Sequence, residues 1–237
     1  MNSRQPGDDL ILQADQIYRG FDTPQGRIEV LRGVSLNLSR GEMVSVLGAS
    51  GVGKTTLLQI LGGLDRPDSG DVYFGDLSFS TFSESKLASF RNRHIGFVFQ
   101  FHYLMSEFSA LENVMMPALI AGTSRAQATE RAELLLGDVG LKDRMTHLPN
   151  ELSGGEQQRV AVARALTMEP DLVLADEPSG NLDVDTGRKL HELLLNLNRT
   201  RKISFIIATH NQHLAAITDR MVKMENGMNQ VEKPPVN

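Results

Sequence analysis

The feature that most constrains this chain is the apolar run Met43-Val-Ser-Val-Leu47, followed without a break by Gly48-Ala-Ser-Gly-Val-Gly-Lys54-Thr55. It reads as a buried strand that turns through a glycine loop into a helix from Lys54 to Leu61, which stops at Gly62-Gly63. Gly48, Gly51 and Gly53 let the backbone turn tightly, so that successive N–H groups point at phosphate oxygens without side chains between. Ala49, Ser50 and Val52 complete the loop, Lys54 supplies charge, the Thr55 hydroxyl is a magnesium ligand and Thr56 at the helix start is a further nucleotide-binding candidate. The bland alternative is a glycine turn with an accidental Lys-Thr, and the strand before and helix after count against it.

Length and charge narrow the class. The 237 residues suffice for a substantial core. A net charge of −5 gives no basic surface that would point to nucleic acid as the main partner. The chain has no cysteine, which excludes disulfides and thiolate metal sites and agrees with a reducing cytoplasm. Nor has it an apolar run of the roughly 20 residues needed to cross a bilayer, or the apolar stretch of a secretion signal near Met1. Any membrane role is therefore expected to come through another subunit, without direct membrane insertion.

Residues 1–8 and 227–237 are polar with scattered Gly and Pro, and read as flexible tails around a single domain over 9–226. Strand density runs from Leu10 to Asp76, as Ile11 to Ala14, Ile28 to Leu31, Val34 to Leu38, Met43 to Leu47 and Asp71 to Phe74. Between Gln100 and about Leu166 the spacing is helical, with helices expected over Ser109 to Ile120 and Arg125 to Leu136. Alternation then resumes with a strand at Asp171 to Ala175, a helix at Val184 to Leu197 and a strand at Ile203 to Ala208. Apolar runs this continuous suit strands covered on both faces, hence a largely parallel α/β sheet.

Four of those runs end in chemistry. Met43 to Leu47 leads to the glycine loop, Ile95 to Phe99 to Gln100, Leu172 to Ala175 to Asp176-Glu177, and Ile203 to Ala208 to Thr209-His210. Ligands of open parallel sheets bind beyond the carboxyl ends of the strands, so these groups are expected to meet at one edge. Their types suit nucleoside triphosphate hydrolysis, where catalysis is mostly positioning and charge neutralisation. Asp176 is placed to hold Mg²⁺ opposite Thr55, Glu177 to polarise the attacking water, Gln100 to hold metal or water, and His210 to donate to the transferred phosphoryl group. Each of these residue types alone is common in structural roles; their shared position after buried strands is what raises them.

Leu152-Ser-Gly-Gly-Glu156 opens another helix, with Ser153 and Glu156 spaced as a capping box. Its free N–H groups make a second anion site. Gly154 and Gly155 cost such a helix about 1 kcal/mol each relative to Ala, and close backbone approach to a phosphate is one justification.

With these motifs in place, the chain resembles the ATP-binding-cassette (ABC) ATPases over residues 10 to 226. Walker A is Gly48 to Thr55, the Q-loop Gln100, the signature Leu152 to Glu156, Walker B ends in Asp176 beside Glu177, the D-loop is Ser179 to Asp183, and the H-loop is His210. The resemblance implies a P-loop NTPase (RecA-like) core with an N-terminal antiparallel β subdomain and a helical insert over about 101–166. It implies ATP and Mg²⁺ bound at a head-to-tail homodimer interface, where Ser153 to Glu156 and Asp183 of one copy close over the Walker A loop of the other. It also implies an aromatic residue stacked on adenine; Phe21 and Tyr18 are the candidates, and register favours Phe21.

Within the family, Leu61 to Asp65, Gln100 to Leu104, Ala110 to Val114 and Ala175 to Asp183 resemble the branch that serves lipoprotein release, macrolide export and bacterial division. Phe101-His102 leans to the lipoprotein-releasing type, whereas Met105-Ser106 departs from the usual Leu-Pro. That branch implies an ATPase peripheral to the cytoplasmic face of the inner membrane, beneath separate permease subunits (LolC/LolE-like). Phe101, Tyr103, Leu104, Met105, Phe108, Met115 and Met116 are candidates for a permease-docking surface, each of which has core packing as its competing explanation.

Overall fold

In this computed structural model residues 9–231 are described. Their order is β1 (Leu10–Thr23), β2 (Gly26–Ser39), β3 (Met43–Leu47), α1 (Lys54–Leu61), β4 (Ser69–Phe74), β5 (Leu77–Ser78), α2 (Glu84–His94), β6 (Ile95–Val98), α3 (Ala110–Ile120), α4 (Arg125–Asp138), α5 (Gly154–Leu166), β7 (Leu172–Asp176), α6 (Val184–Arg201), β8 (Ser204–Thr209), α7 (Gln212–Ala216), β9 (Arg220–Glu225) and β10 (Met228–Val231).

The continuous apolar runs form the centre of a six-stranded sheet of order β10-β9-β3-β8-β7-β6, parallel apart from β10. Side chains along each strand alternate between two cores. Val44, Val46, Leu172, Leu174, Ile206 and Ala208 face α1 and the second sheet, while Met43, Val173, Ala175, Phe205 and Ile207 face α3 to α6. Both faces are covered, which is why no polar alternation marks these strands in the sequence. The second sheet is antiparallel, of order β2-β1-β4-β5. Residues 101–166 hold α3, α4 and α5 and no strand.

Three expectations are corrected. Ile28 to Leu31 and Val34 to Leu38 are one strand, β2, which passes through Gly33 at φ 85° beside shifts in its register with β1. The stretch from 227 is not a tail as far as 231: Asn226 and Gly227, at φ 52° and 74°, make a tight turn that folds β10 back antiparallel on β9. Residues 1–8 and 232–237 lie outside the described residues. Finally, Met115 is fully buried in the core over α3 and α4, so it has no part in a docking surface.

Candidate active site

β3, β8, β7 and β6 are neighbours in the sheet, so the residues after their carboxyl ends share one edge. At β3 the chain leaves Leu47 into the glycine loop, and α1 begins after Gly53, which sits at φ 107° and offers no side-chain cap. A Cβ on Gly53 would stand 2.9 Å from Leu31 and 3.1 Å from Val30, so the loop is packed tightly against β2. On its outer side Ala49, Ser50 and Gly51 are exposed, and a Cβ on Gly51 would meet nothing within 4 Å. The N–H groups of Ser50, Gly51, Gly53, Lys54 and Thr55 make no hydrogen bond among the described residues. A run of open N–H groups ending at an uncapped helix is a cradle for phosphate oxygens.

Charge is gathered around that cradle. The buried Lys54 Nζ donates to the carbonyls of Gly48 (2.9 Å) and Ala49 (3.1 Å) and lies 3.4 Å from Glu177 Oε1. Thr55 Oγ1 donates to Asp176 Oδ2 at 2.7 Å, so the two expected metal ligands already touch. The other carboxylate oxygen, Asp176 Oδ1, is buried with no hydrogen-bond partner. Burial raises the Asp176 pKa, with the Glu177 charge adding to the rise and Thr55 and Lys54 opposing it. An orphaned carboxylate oxygen next to a hydroxyl is a donor set that a hard, oxygen-loving cation fits.

Glu177 is held from three directions. Its Oε1 lies 2.9 Å from His210 Nδ1 and 3.4 Å from Lys54 Nζ, and its Oε2 accepts from Thr209 Oγ1 at 3.2 Å. Its backbone sits at φ 45°, a left-handed conformation that costs a long side chain energy and is maintained by the N–H bond to Ala208 O at 2.9 Å. His210 is 68% exposed. Gln100 Nε2 donates to Asn181 Oδ1 at 3.0 Å and Asn181 Nδ2 donates back to Gln100 O at 3.1 Å, leaving the Gln100 Oε1 free. Thr209 and Asn181 were not singled out from sequence as partners; the signal was their adjacency to His210 and to the acidic pair.

The second turn is built as expected locally: Ser153 Oγ accepts from Glu156 N, and Glu156 Oε2 accepts from Ser153 N at 2.8 Å. Gly155, however, also has a packing reason. A Cβ there would stand 2.4 Å from the Thr186 methyl of α6. Gly154 has no such need, since its nearest neighbour would be Leu182 at 3.8 Å. Asp183 caps α6 through bonds from Asp185 N and Thr186 N, which lower its pKa with the Thr186 side-chain bond foremost. Among the described residues Glu156 pairs with Arg144, and neither it nor Ser153 bonds to residues 48–55. Thus one chain brings together Lys54, Thr55, Asp176, Glu177 and His210, and leaves Ser153 to Glu156 apart from them.

Phe21 and Tyr18 are both 40% exposed on β1. Phe21 lies opposite Ile28 with the Arg19 guanidinium 4.8 Å over its ring, whereas the Tyr18 hydroxyl lies over Gly33, 2.8 Å from where a Cβ would stand. Thr56 is half-buried in the first turn of α1. No helix among the described residues is long and apolar enough to cross a membrane.

The chain is similar to known proteins in both sequence and fold. The pattern of the ABC transporter family matches residues 31–180. The chain is 58% identical to the lipoprotein-releasing system ATP-binding protein LolD of Syntrophus aciditrophicus, over 92% of this chain and 97% of that protein. It is 52% identical to the LolD protein of Geobacter metallireducens, over 92% and 96%. Among solved structures it is similar to the dimeric ATP-binding cassette MJ0796 in a post-hydrolysis state bound to ADP and Pi, with 35% identity, TM-score 0.88 and coverage of 95% and 99%. The chain belongs to the ABC transporter family, as an ATP-binding, ATP-hydrolysing cassette of the LolD type.

Proposed function

We propose that two copies of this chain, arranged head to tail, power a lipoprotein-releasing transporter at the inner membrane. The observation that carries the dimer is that one chain holds two sets of open N–H groups, at Ser50, Gly51, Gly53, Lys54 and Thr55 and at Gly154-Gly155, which do not meet within it. A symmetric pair brings each cradle to the other copy's Ser153 turn, a closed two-fold arrangement with both triphosphates at the interface. The solved relative MJ0796 is itself described as a dimer, which supports the reading.

In that pair Lys54 and the loop N–H groups bind the phosphates, and Gly154 leaves backbone open to the γ-phosphate from the other side. Thr55 and Asp176, together with Gln100, would hold Mg²⁺, which would supply neutralisation of phosphate charge. Glu177 accepts a proton from the attacking water, and the Thr209 hydroxyl bond, with His210 alongside, fixes the carboxylate for that task. His210, with its ring hydrogen on Nε2, donates it to the transferred phosphoryl group. Asp183 approaches the site of the other copy, and Phe21 stacks on adenine, in keeping with its exposed ring and with the Tyr18 hydroxyl lying over Gly33.

Partners follow from the relatives named for lipoprotein release. Permease subunits of the LolC/LolE kind would sit on the exposed Phe101 (62%) and Tyr103 (67%) after Gln100, so that their movement is sensed beside the nucleotide. The chain then works at the cytoplasmic face as a peripheral subunit. Ser153→Arg is the test of the pair: it blocks ATP-dependent dimerisation in sizing experiments while each monomer still binds nucleotide. Unchanged dimerisation removes the Ser153 turn from the interface. Isolation of the native membrane complex tests the cargo reading; recovery of only macrolide-export or division proteins contradicts it.

A further inference from the structure

Asp176-Glu177 runs into a series of tight turns. Gly180 N donates to Glu177 O at 2.9 Å and Leu182 N to Ser179 O at 3.1 Å, before Asp183 caps α6. Asn181, inside this series, grips the Gln100 amide and carbonyl. The geometry of Glu177 and of Gln100 therefore depends on how firmly residues 178–182 are held. Pro178 is buried and Leu182 packs against the core, but beside Ser179 packing is incomplete: an open pocket of about 300 Å³ lies there, lined among others by Ser179, Asp183, Asn211 and His213.

A single side chain reaches across from α6. His191 is 3% exposed, and its Nε2 lies 2.8 Å from the Ser179 hydroxyl with one hydrogen shared between them. Leu190, Leu194 and Leu197 on the same helix are buried, so an apolar residue at 191 would satisfy the core. A histidine there is costly by comparison. Its Nδ1 is buried with no hydrogen-bond partner, and its ring stands edge-on to His213 at 6.4 Å. Burial foremost, then the His213 charge, lowers the His191 pKa, so the imidazole is neutral near pH 7. The hydrogen bond to Ser179 is what the imidazole provides at this position that an apolar side chain would not.

We propose that His191 is a positioning residue for ATP hydrolysis, fixing Ser179 and thereby the turns that aim Glu177 and hold Gln100 through Asn181. The inference rests on the site reading above and adds to it a residue that touches neither nucleotide nor metal. Breaking the His191–Ser179 bond leaves the phosphate cradle intact, so binding survives and turnover suffers.

The experiment is a double-mutant cycle in steady-state ATPase assays on the full chain, with His191→Leu, Ser179→Ala and the two combined. Each single variant lowers kcat by roughly 3- to 10-fold, the scale of one hydrogen bond used for positioning. KM for ATP changes by less than about twofold, and the double variant is no slower than the slower single one. His191→Gln, whose amide nitrogen reaches where Nε2 stood, recovers at least half of wild-type kcat, while His191→Leu melts no lower than wild type. Unchanged kcat in either single variant, or effects that multiply in the double, overturns the proposal. Should His191→Leu fail to fold, Ser179→Ala alone decides it. Glu177→Gln in the same assay separates the two readings: if that variant is active the site assignment fails, and if it is inactive an active His191→Leu refutes only the inference drawn from Ser179.

Discussion

Gly155→Ala separates packing from phosphate contact at the Ser153 turn. The added Cβ would lie 2.4 Å from Thr186 Cγ2. Thr186 sits in the first turn of α6, with its N–H held by the Asp183 carboxylate at 3.0 Å, so its methyl gives way only by a rotamer change. Overpacking of this kind costs about 1–3 kcal/mol, whereas replacing glycine in a helix returns about 1 kcal/mol. The net loss is up to roughly 2 kcal/mol, a fall in melting temperature of about 4–8 °C for a domain of this size. Thr186→Ser removes only the offending methyl and keeps the hydroxyl. In that background Gly155→Ala is neutral or stabilising by up to about 1 kcal/mol, so the pair couples by about 1–3 kcal/mol. Denaturant unfolding of the four proteins measures this directly. An equal effect of Gly155→Ala in both backgrounds refutes the argument. ATPase activity of the double variant distinguishes the two roles: recovery means Gly155 serves α5–α6 packing, and a dead but stable double variant means its bare backbone meets phosphate.

Asp176 makes apo stability depend on pH. Its pKa is raised in the fold, so its favourable contribution is complete below the ordinary value of 3.8 and is lost as pH rises through the folded pKa. Asp176→Asn is therefore expected to gain on wild type from about pH 4 upward, and saturating Mg²⁺–nucleotide reverses the order by binding wild type alone; a pH-independent difference contradicts this. Asn113, wholly buried, accepts from Met105 N and donates to the carbonyls of Met105, Phe108 and Ser109. Asn113→Ala strands these groups, and chemical denaturation should report a loss of about 2–4 kcal/mol; a loss under about 0.5 kcal/mol would mean the 105–109 loop is held by other contacts.

Much of the site was legible because its chemistry is local. Lys54, Thr55, Asp176, Glu177 and His210 each follow a buried strand, and adjacency of β3, β8, β7 and β6 is all that convergence required. Elements without an apolar rhythm were not legible. α2 buries only Leu87, so its sequence carries no helical stripe. β10 was hidden in a polar stretch, although Asn226-Gly227 is the pair that tight hairpins favour. Contacts between distant segments were out of reach altogether: the Thr186 methyl that accounts for Gly155 and the imidazole that holds Ser179 are properties of how α6 lies against its neighbours.

The central claim is that Glu177 is the base in a site completed by a second copy. Single-turnover ATP hydrolysis by Glu177→Gln, read alongside the oligomeric state, tests it most directly. The expected result is intact ATP binding, turnover slowed by roughly 10²–10⁴-fold and an accumulated ATP-bound dimer. Hydrolysis at the wild-type rate, or a slowed variant that stays monomeric with ATP bound, would contradict it.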